Sequence, residues 1–127
     1  MGRILVIDDE DVIRMLVCEI LENAGHDVTA AASAESALAL LAHATFDAVV
    51  SDVIMPGLSG FELLEQVRAR SAPPPVLLIT GAGTAENVDN ALHGGAVAVI
   101  TKPFAHADLT TALAGALAAA PAGGAAA

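Results

Sequence analysis

Polar residues of a particular kind end four short apolar runs in this chain. Asp8 and Asp9 follow Ile4-Leu5-Val6-Ile7, and Asp52 follows Ala48-Val49-Val50-Ser51. Thr80 follows Val76-Leu77-Leu78-Ile79, and Lys102 follows Val97-Ala98-Val99-Ile100-Thr101. An aspartate before Met55-Pro56-Gly57 would, by itself, be read as a turn former or helix cap. Recurrence of the pattern argues for a shared site. Three carboxylates brought together repel one another, which raises a pKa or recruits a cation. A hard divalent ion, Mg²⁺ foremost, takes carboxylate and carbonyl oxygens and keeps some of its waters. Such an ion screens the acids, so that a dianionic phosphoryl group can approach Asp52. Lys102 offers a compact positive charge to a phosphoryl oxygen, and the Thr80 hydroxyl can reach another. This set of groups suits phosphoryl transfer to a carboxylate, where catalysis is mainly positioning and charge neutralisation.

The elements that must hold these residues are legible from periodicity. Near-continuous apolar runs are the mark of parallel strands covered on both faces. A first strand is predicted over Arg3 to Ile7, and a helix over Asp11 to Ala24 with Gly25 as its stop. Asp27 to Ala31 is the weakest strand, which fits an edge position. Ser33 is the expected N-cap of a second helix carrying Leu38, Leu40 and Leu41. The strand Ala48 to Ser51 comes next. Ser59-Gly60-Phe61-Glu62 matches a capping box, with Phe61, Leu64 and Val67 predicted inward and Glu62, Glu65 and Arg68 outward. Pro73-Pro74-Pro75 introduces the fourth strand. A short polar helix over Thr84 to His93, held by Val88 and Leu92, is expected to be the least firmly anchored. Leu109, Leu113 and Leu117 form the inward stripe of a last helix. Five βα units predict an α/β fold with right-handed crossovers and an open doubly wound parallel sheet, for which we take the strand order 2-1-3-4-5. That order makes the first and third strands neighbours where the winding reverses, which brings Asp8, Asp9 and Asp52 together.

Composition sets the outer limits. The chain has 127 residues, 55% of them hydrophobic, enough for one domain with a proper core. We place that domain at 1–118 and read 119–127, Ala/Gly/Pro-rich, as a tail or the start of a linker. No segment reaches the roughly 18 uninterrupted apolar residues of a membrane span, and Met1-Gly2-Arg3 leads straight into a strand without a signal-peptide pattern. Cys18 is the only cysteine, which fits a reducing, cytoplasmic setting and a small core residue. The net charge of −10, with only five Lys and Arg, disfavours nucleic-acid binding, since phosphate contacts need a basic patch. Past Arg70 the only cation is Lys102. His26, His43, His93 and His106 share no metal-ligand spacing and are read as surface residues. Glu10 and Asp11 are read as helix-starting acids that favour the helix dipole.

Asp8-Asp9, Asp52-Val53-Ile54-Met55-Pro56-Gly57, Thr80 and Lys102-Pro103-Phe104, in this order and spacing, resemble the CheY-like receiver domains of response regulators. The resemblance covers about Arg3 to Leu117. It implies that Asp52 accepts a phosphoryl group from a histidine of a sensor kinase or a histidine phosphotransfer protein, switching interactions with a downstream protein. It further implies that Asp9 ligates Mg²⁺ directly and Asp8 partly through water, with Asp52 and the backbone carbonyl of Ile54 completing the protein ligands. Thr80 is implied to move toward the phosphoryl group and Lys102 to pair with it, the Lys102-Pro103 bond being typically cis. Such a domain modifies itself and turns over no external substrate.

The sequence departs from the family pattern in places. Val99 stands where many members carry Tyr or Phe, so an inward-swinging aromatic is not available. Any switching is expected to ride on Gly81-Ala82-Gly83 and the helix after it. The last two helices and strand lack the basic residues of the charge-paired dimer common among DNA-binding members, so that dimer is not expected. Ile54 and Ala82 cannot hydrogen-bond an attacking water, which predicts a long-lived acyl phosphate. As an alternative, Asp9-Glu10-Asp11-Val12 resembles the nucleophile motif of haloacid-dehalogenase phosphatases, although Asp108 is the only acid after Lys102. A flavodoxin-like cofactor binder would need a hydroxyl- and glycine-rich loop where this chain is acidic. A degenerate receiver, acting only as an interaction module, would lack the acceptor, a metal acid or the lysine, and none is missing.

Overall fold

The computed structural model describes residues 2–81, 85–102 and 104–119. The expectations for Ala82, Gly83, the start of the fourth helix, the Val88 side chain, the Lys102-Pro103 bond and most of the tail lie outside the described residues.

Strands and helices alternate: β1 Arg3–Ile7, α1 Asp11–Asn23, β2 Asp27–Ala31, α2 Ala34–His43, β3 Ala48–Asp52, α3 Gly60–Arg68, β4 Val76–Thr80, α4 Ala85–His93, β5 Ala98–Thr101 and α5 His106–Ala119. The five strands form one parallel sheet in the order β2-β1-β3-β4-β5. Edge strand β2 is the least buried of the first four, and the central β3 and β4 are buried throughout.

Alternation along each strand sorts the core into two layers. Ile4, Val6, Ala48, Val50, Leu77, Ile79 and Ile100 face Val17, Ile20 and Leu21 of α1 and Leu109, Leu113 and Ala116 of α5. Leu5, Ile7, Val49, Val76 and Leu78 face α2, α3 and α4 on the other side. Cys18 and Leu117 are half-buried against the first layer. Burial pushes the Cys18 thiol pKa upward, with Glu22 adding to the shift, so that residue is a packing group.

Local signals set the helix starts. The Ser33 hydroxyl accepts the Ser36 N–H and opens α2. Ser59 and Glu62 form the full capping box of α3. Inside α3 the inward residues are Leu63, Leu64 and Val67, and Phe61 is half-buried. The even spacing of Phe61, Leu64 and Val67 leaves out Leu63, because a helix wedged between α2 and α4 buries a wider arc than a three-residue stripe. Among the described side chains of α4, Ala91 is buried and Leu92 is exposed. Ala91 faces the sheet closely enough for its small side chain to be covered, which an expectation based on side-chain size overlooks. Of the histidines, His43, His93 and His106 are exposed; His26 is half-buried, its Nδ1 accepting the Gly2 N–H.

Candidate functional site

The buried polar residues among those described are Asp8, Ser51, Asp52 and Thr80. All four lie at the carboxyl ends of β1, β3 and β4, the central strands. Asp8 continues the row of Ile4 and Val6, and Asp52 that of Ala48 and Val50. Lys102 continues the row of Ala98 and Ile100. These three rows belong to the layer that packs on α1 and α5, so period-two alternation alone sends the acids and the amine to one side of the sheet edge.

Asp52 is 5% exposed and Asp8 2%. One oxygen of Asp52, Oδ1, accepts the Val53 N–H at 2.9 Å. The other, Oδ2, faces Lys102 Nζ at 3.4 Å. The same amine is 3.8 Å from Glu10 Oε1. Asp8 Oδ1 accepts the Glu10 N–H at 2.9 Å. Single carboxylate oxygens of Asp8, Glu10 and Asp52 lie within 4.8 Å of one another. Glu10, which the sequence alone presents as a helix-starting acid, is thus the third member of this trio. Asp9, expected as a direct metal ligand, is exposed and is not among the three; its charge nevertheless acts on both buried aspartates.

Electrostatics follow from this crowding. Burial holds the Asp52 carboxyl above the ordinary aspartate range, partly offset by the charge and hydrogen bond of Lys102 and by the Val53 N–H, while Asp9 raises it further. Burial likewise raises Asp8; the Glu10 N–H and Lys102 lower it, and Asp52 and Asp9 raise it. One amine shared among several carboxylates leaves the cluster short of positive charge. The donor set is all oxygen, matching what a hard divalent cation takes.

The backbone around Asp52 is tightly braced. Ser51 Oγ donates to the Asp52 carbonyl at 2.9 Å, and the Gly60 N–H donates to the Val53 carbonyl at 2.8 Å. A Cβ on Gly60 would stand 2.3 Å from the Asp52 carbonyl oxygen and 2.8 Å from the Val53 Cα. Only glycine lets α3 start this close to the acid. Its signal in the sequence is a glycine at the first helical position of a capping box, where most residues would fit. Thr80 is 1% exposed, and its carbonyl accepts the Lys102 N–H at 2.8 Å, which ties the base of the lysine to β4. Ile54 is 65% exposed beside the site. Val99 is half-buried against the α2–α4 layer.

A doubly wound parallel sheet in this strand order, with an acidic cluster at its switch point, defines the CheY-like fold. The family model for the response regulator receiver domain matches residues 4–114, and this chain belongs to that family, the receivers of two-component signalling. It is 41% identical over 109 residues to the transcriptional regulatory protein FixJ of Bradyrhizobium diazoefficiens, covering 86% of this chain and 53% of that protein. It is 38% identical to the response regulator protein FleR of Pseudomonas aeruginosa, covering 81% of this chain and 22% of FleR. The chain thus spans about half the length of such relatives, or less. Among solved structures, the chemotaxis response regulator CheY4 of Vibrio cholerae superposes with a TM-score of 0.85 at 35% identity, covering 91% of this chain and 98% of that one. The haloacid-dehalogenase reading is not favoured by these likenesses. No helix among the described residues is long and apolar enough to cross a membrane.

Proposed function

We propose that Asp52 is the phosphoacceptor of this receiver and that the Asp8–Glu10–Asp52 pocket holds Mg²⁺, with Asp9 and the Ile54 carbonyl within the same turns. The observation that carries the reading is a buried aspartate whose Oδ2 faces a lysine at 3.4 Å inside an acid trio. When bound, the ion supplies charge neutralisation and alignment of phosphoryl oxygens.

The chain's own groups do the rest. The Val53 N–H holds Oδ1 of Asp52 and so fixes the rotation of the carboxylate. An Asp52 oxygen attacks phosphorus on the donor side chain, forming an O–P bond as the N–P bond to the donor histidine breaks. The departing imidazole keeps the electron pair and takes a proton. Lys102, released from Asp52, pairs with a phosphoryl oxygen and offsets the added charge. Thr80, buried beside it, offers a hydroxyl.

A protein donor must cover the rim of the pocket. α1 begins one residue past Glu10 and exposes Val12, Met15 and Leu16 in its first two turns, and Ile54 is exposed after Asp52. This apolar border supports docking of a kinase or phosphotransfer protein rather than of a free anion. The domain works in the cytoplasm, modifies itself, and passes the signal to a protein target without turning over an external substrate.

Intact-mass measurement after incubation with a small phosphodonor tests this. One phosphoryl mass is expected on the wild type with Mg²⁺, and none with a chelator or in Asp52→Asn. Equal labelling of Asp52→Asn would remove the proposal.

A further inference from the structure

Arg14 is placed unlike an ordinary helix-surface arginine. Its side chain is 18% exposed, on the second turn of a helix whose neighbours Val12 and Met15 lie open to solvent. Nη1 donates to the backbone carbonyl of Asp8 at 2.8 Å. Nη2 meets Asp11 Oδ1 at 2.5 Å. The pair with Asp11 is the usual three-residue helical spacing. The bond to Asp8 is not: it reaches back past the helix start to a carbonyl that α1 does not use, since the Arg14 N–H itself takes the Glu10 carbonyl.

Asp8 is consequently gripped at each of its polar ends. Its N–H donates to the Ala31 carbonyl at 3.3 Å, its carboxylate accepts from Glu10, and its carbonyl accepts from Arg14. A mostly buried guanidinium with one donor on a backbone carbonyl and another on Asp11 has little freedom left. We propose that Arg14 is a positioning residue for the acid cluster: it locks the turn between β1 and α1 and so fixes where Asp8 and Glu10 point. This rests on the reading of the pocket as a cation and phosphoryl site, and goes beyond it by naming a residue outside the pocket that sets its geometry.

Charge and position predict opposite signs, which makes the role testable. Removing a cation that only raises the local potential would tighten the binding of another cation. Removing a positioning group weakens it, by about tenfold for outer partners of metal ligands. Mg²⁺ is titrated by calorimetry into the whole chain as wild type, Arg14→Met, Arg14→Lys and Asp11→Asn. Amide hydrogen exchange at Glu10 is followed in parallel without any divalent ion.

Arg14→Met is expected to weaken Mg²⁺ about tenfold and to speed Glu10 exchange. Arg14→Lys, which keeps the charge but lacks the fork that reaches both acceptors at once, recovers part of the loss. Asp11→Asn, which leaves the Asp8 carbonyl bonded, stays near wild type. If Arg14→Met does not fold, Arg14→Lys against Asp11→Asn carries the same comparison. Unchanged or tighter Mg²⁺ binding with unchanged Glu10 exchange in both Arg14 variants would overturn the proposal. Wild type that takes up no Mg²⁺ would instead sink the functional reading, while the exchange data still decide whether Arg14 holds the turn.

Discussion

The two ends of the sheet solve opposite problems. At the amino ends of the strands, polar groups find partners of opposite character at the surface. The Asp47 carboxylate accepts the Arg3 N–H at 2.8 Å, Arg3 faces Asp27, and its guanidinium lies 5.4 Å from the Phe46 ring. Gly2 and Arg3 carbonyls accept the N–H groups of Asp27 and Asp47, which ties the loops down. At the carboxyl ends the chain instead buries Asp8 and Asp52 beside Glu10, with Lys102 shared between Glu10 and Asp52. Like charges out of water cost stability unless something neutralises them. One end closes the fold, and the other holds an electrostatic deficit that the proposed cation would remove.

Substitutions at the carboxyl end separate bracing from charge. Gly60→Ala forces a methyl group into the Asp52 backbone. We expect a loss of about 2–3 kcal/mol in chemical denaturation, together with loss of phosphorylation, because α3 must move off the acid. Lys102→Ala keeps the fold but removes the amine from Asp52. Phosphoryl uptake from a small donor should fall roughly 10- to 100-fold, the worth of a charge-assisted bond.

The deficit itself is visible in stability. Asp8 and Asp52 are both held above the ordinary value of 3.8, so the folded chain keeps these protons more tightly than the unfolded chain. Stability from these sites is complete below 3.8 and is lost as pH rises through the raised folded values. Asp52→Asn should therefore raise the Tm at neutral pH, without divalent ions, by about 2–5 °C. That gain should shrink as the solution is acidified, and saturating Mg²⁺ should stabilise the wild type more than the variant. A Tm lowered at neutral pH would show that the acid cluster carries no strain. At the other end Asp47→Ala should lower the Tm by only about 1–2 °C and leave phosphoryl uptake within about twofold. A large effect there would blur the division between the two ends.

Most element boundaries are legible in the sequence because the relevant signals are local: apolar runs, the Ser33 and Ser59 caps, and Gly25 with its positive φ of 97°. The strand order, by contrast, is a tertiary pairing that the βα alternation only suggests. The convergence of Asp8, Asp52 and Lys102 follows from strand order and period-two alternation. Glu10 escapes such a reading because an acid before a helix has a sufficient local explanation, and only the fold brings Lys102 within 3.8 Å of it. Gly60 and Arg14 escape it for a related reason. A close approach to a carbonyl on another element is a distance in space, and spacing along the chain does not encode it. Leu92 and Ala91 exchange roles in α4 because the side-chain size that suggests burial says nothing of which face meets the sheet.

Borohydride trapping examines the central claim most directly. Acyl phosphate on an aspartate is reduced to homoserine, which peptide mass mapping can place. After treatment with a small phosphodonor and Mg²⁺, reduction should convert Asp52 alone, and the conversion should vanish when the ion is chelated. A reduced side chain at Asp8, Asp9 or Glu10, or none anywhere while the protein still carries phosphate, would contradict the account.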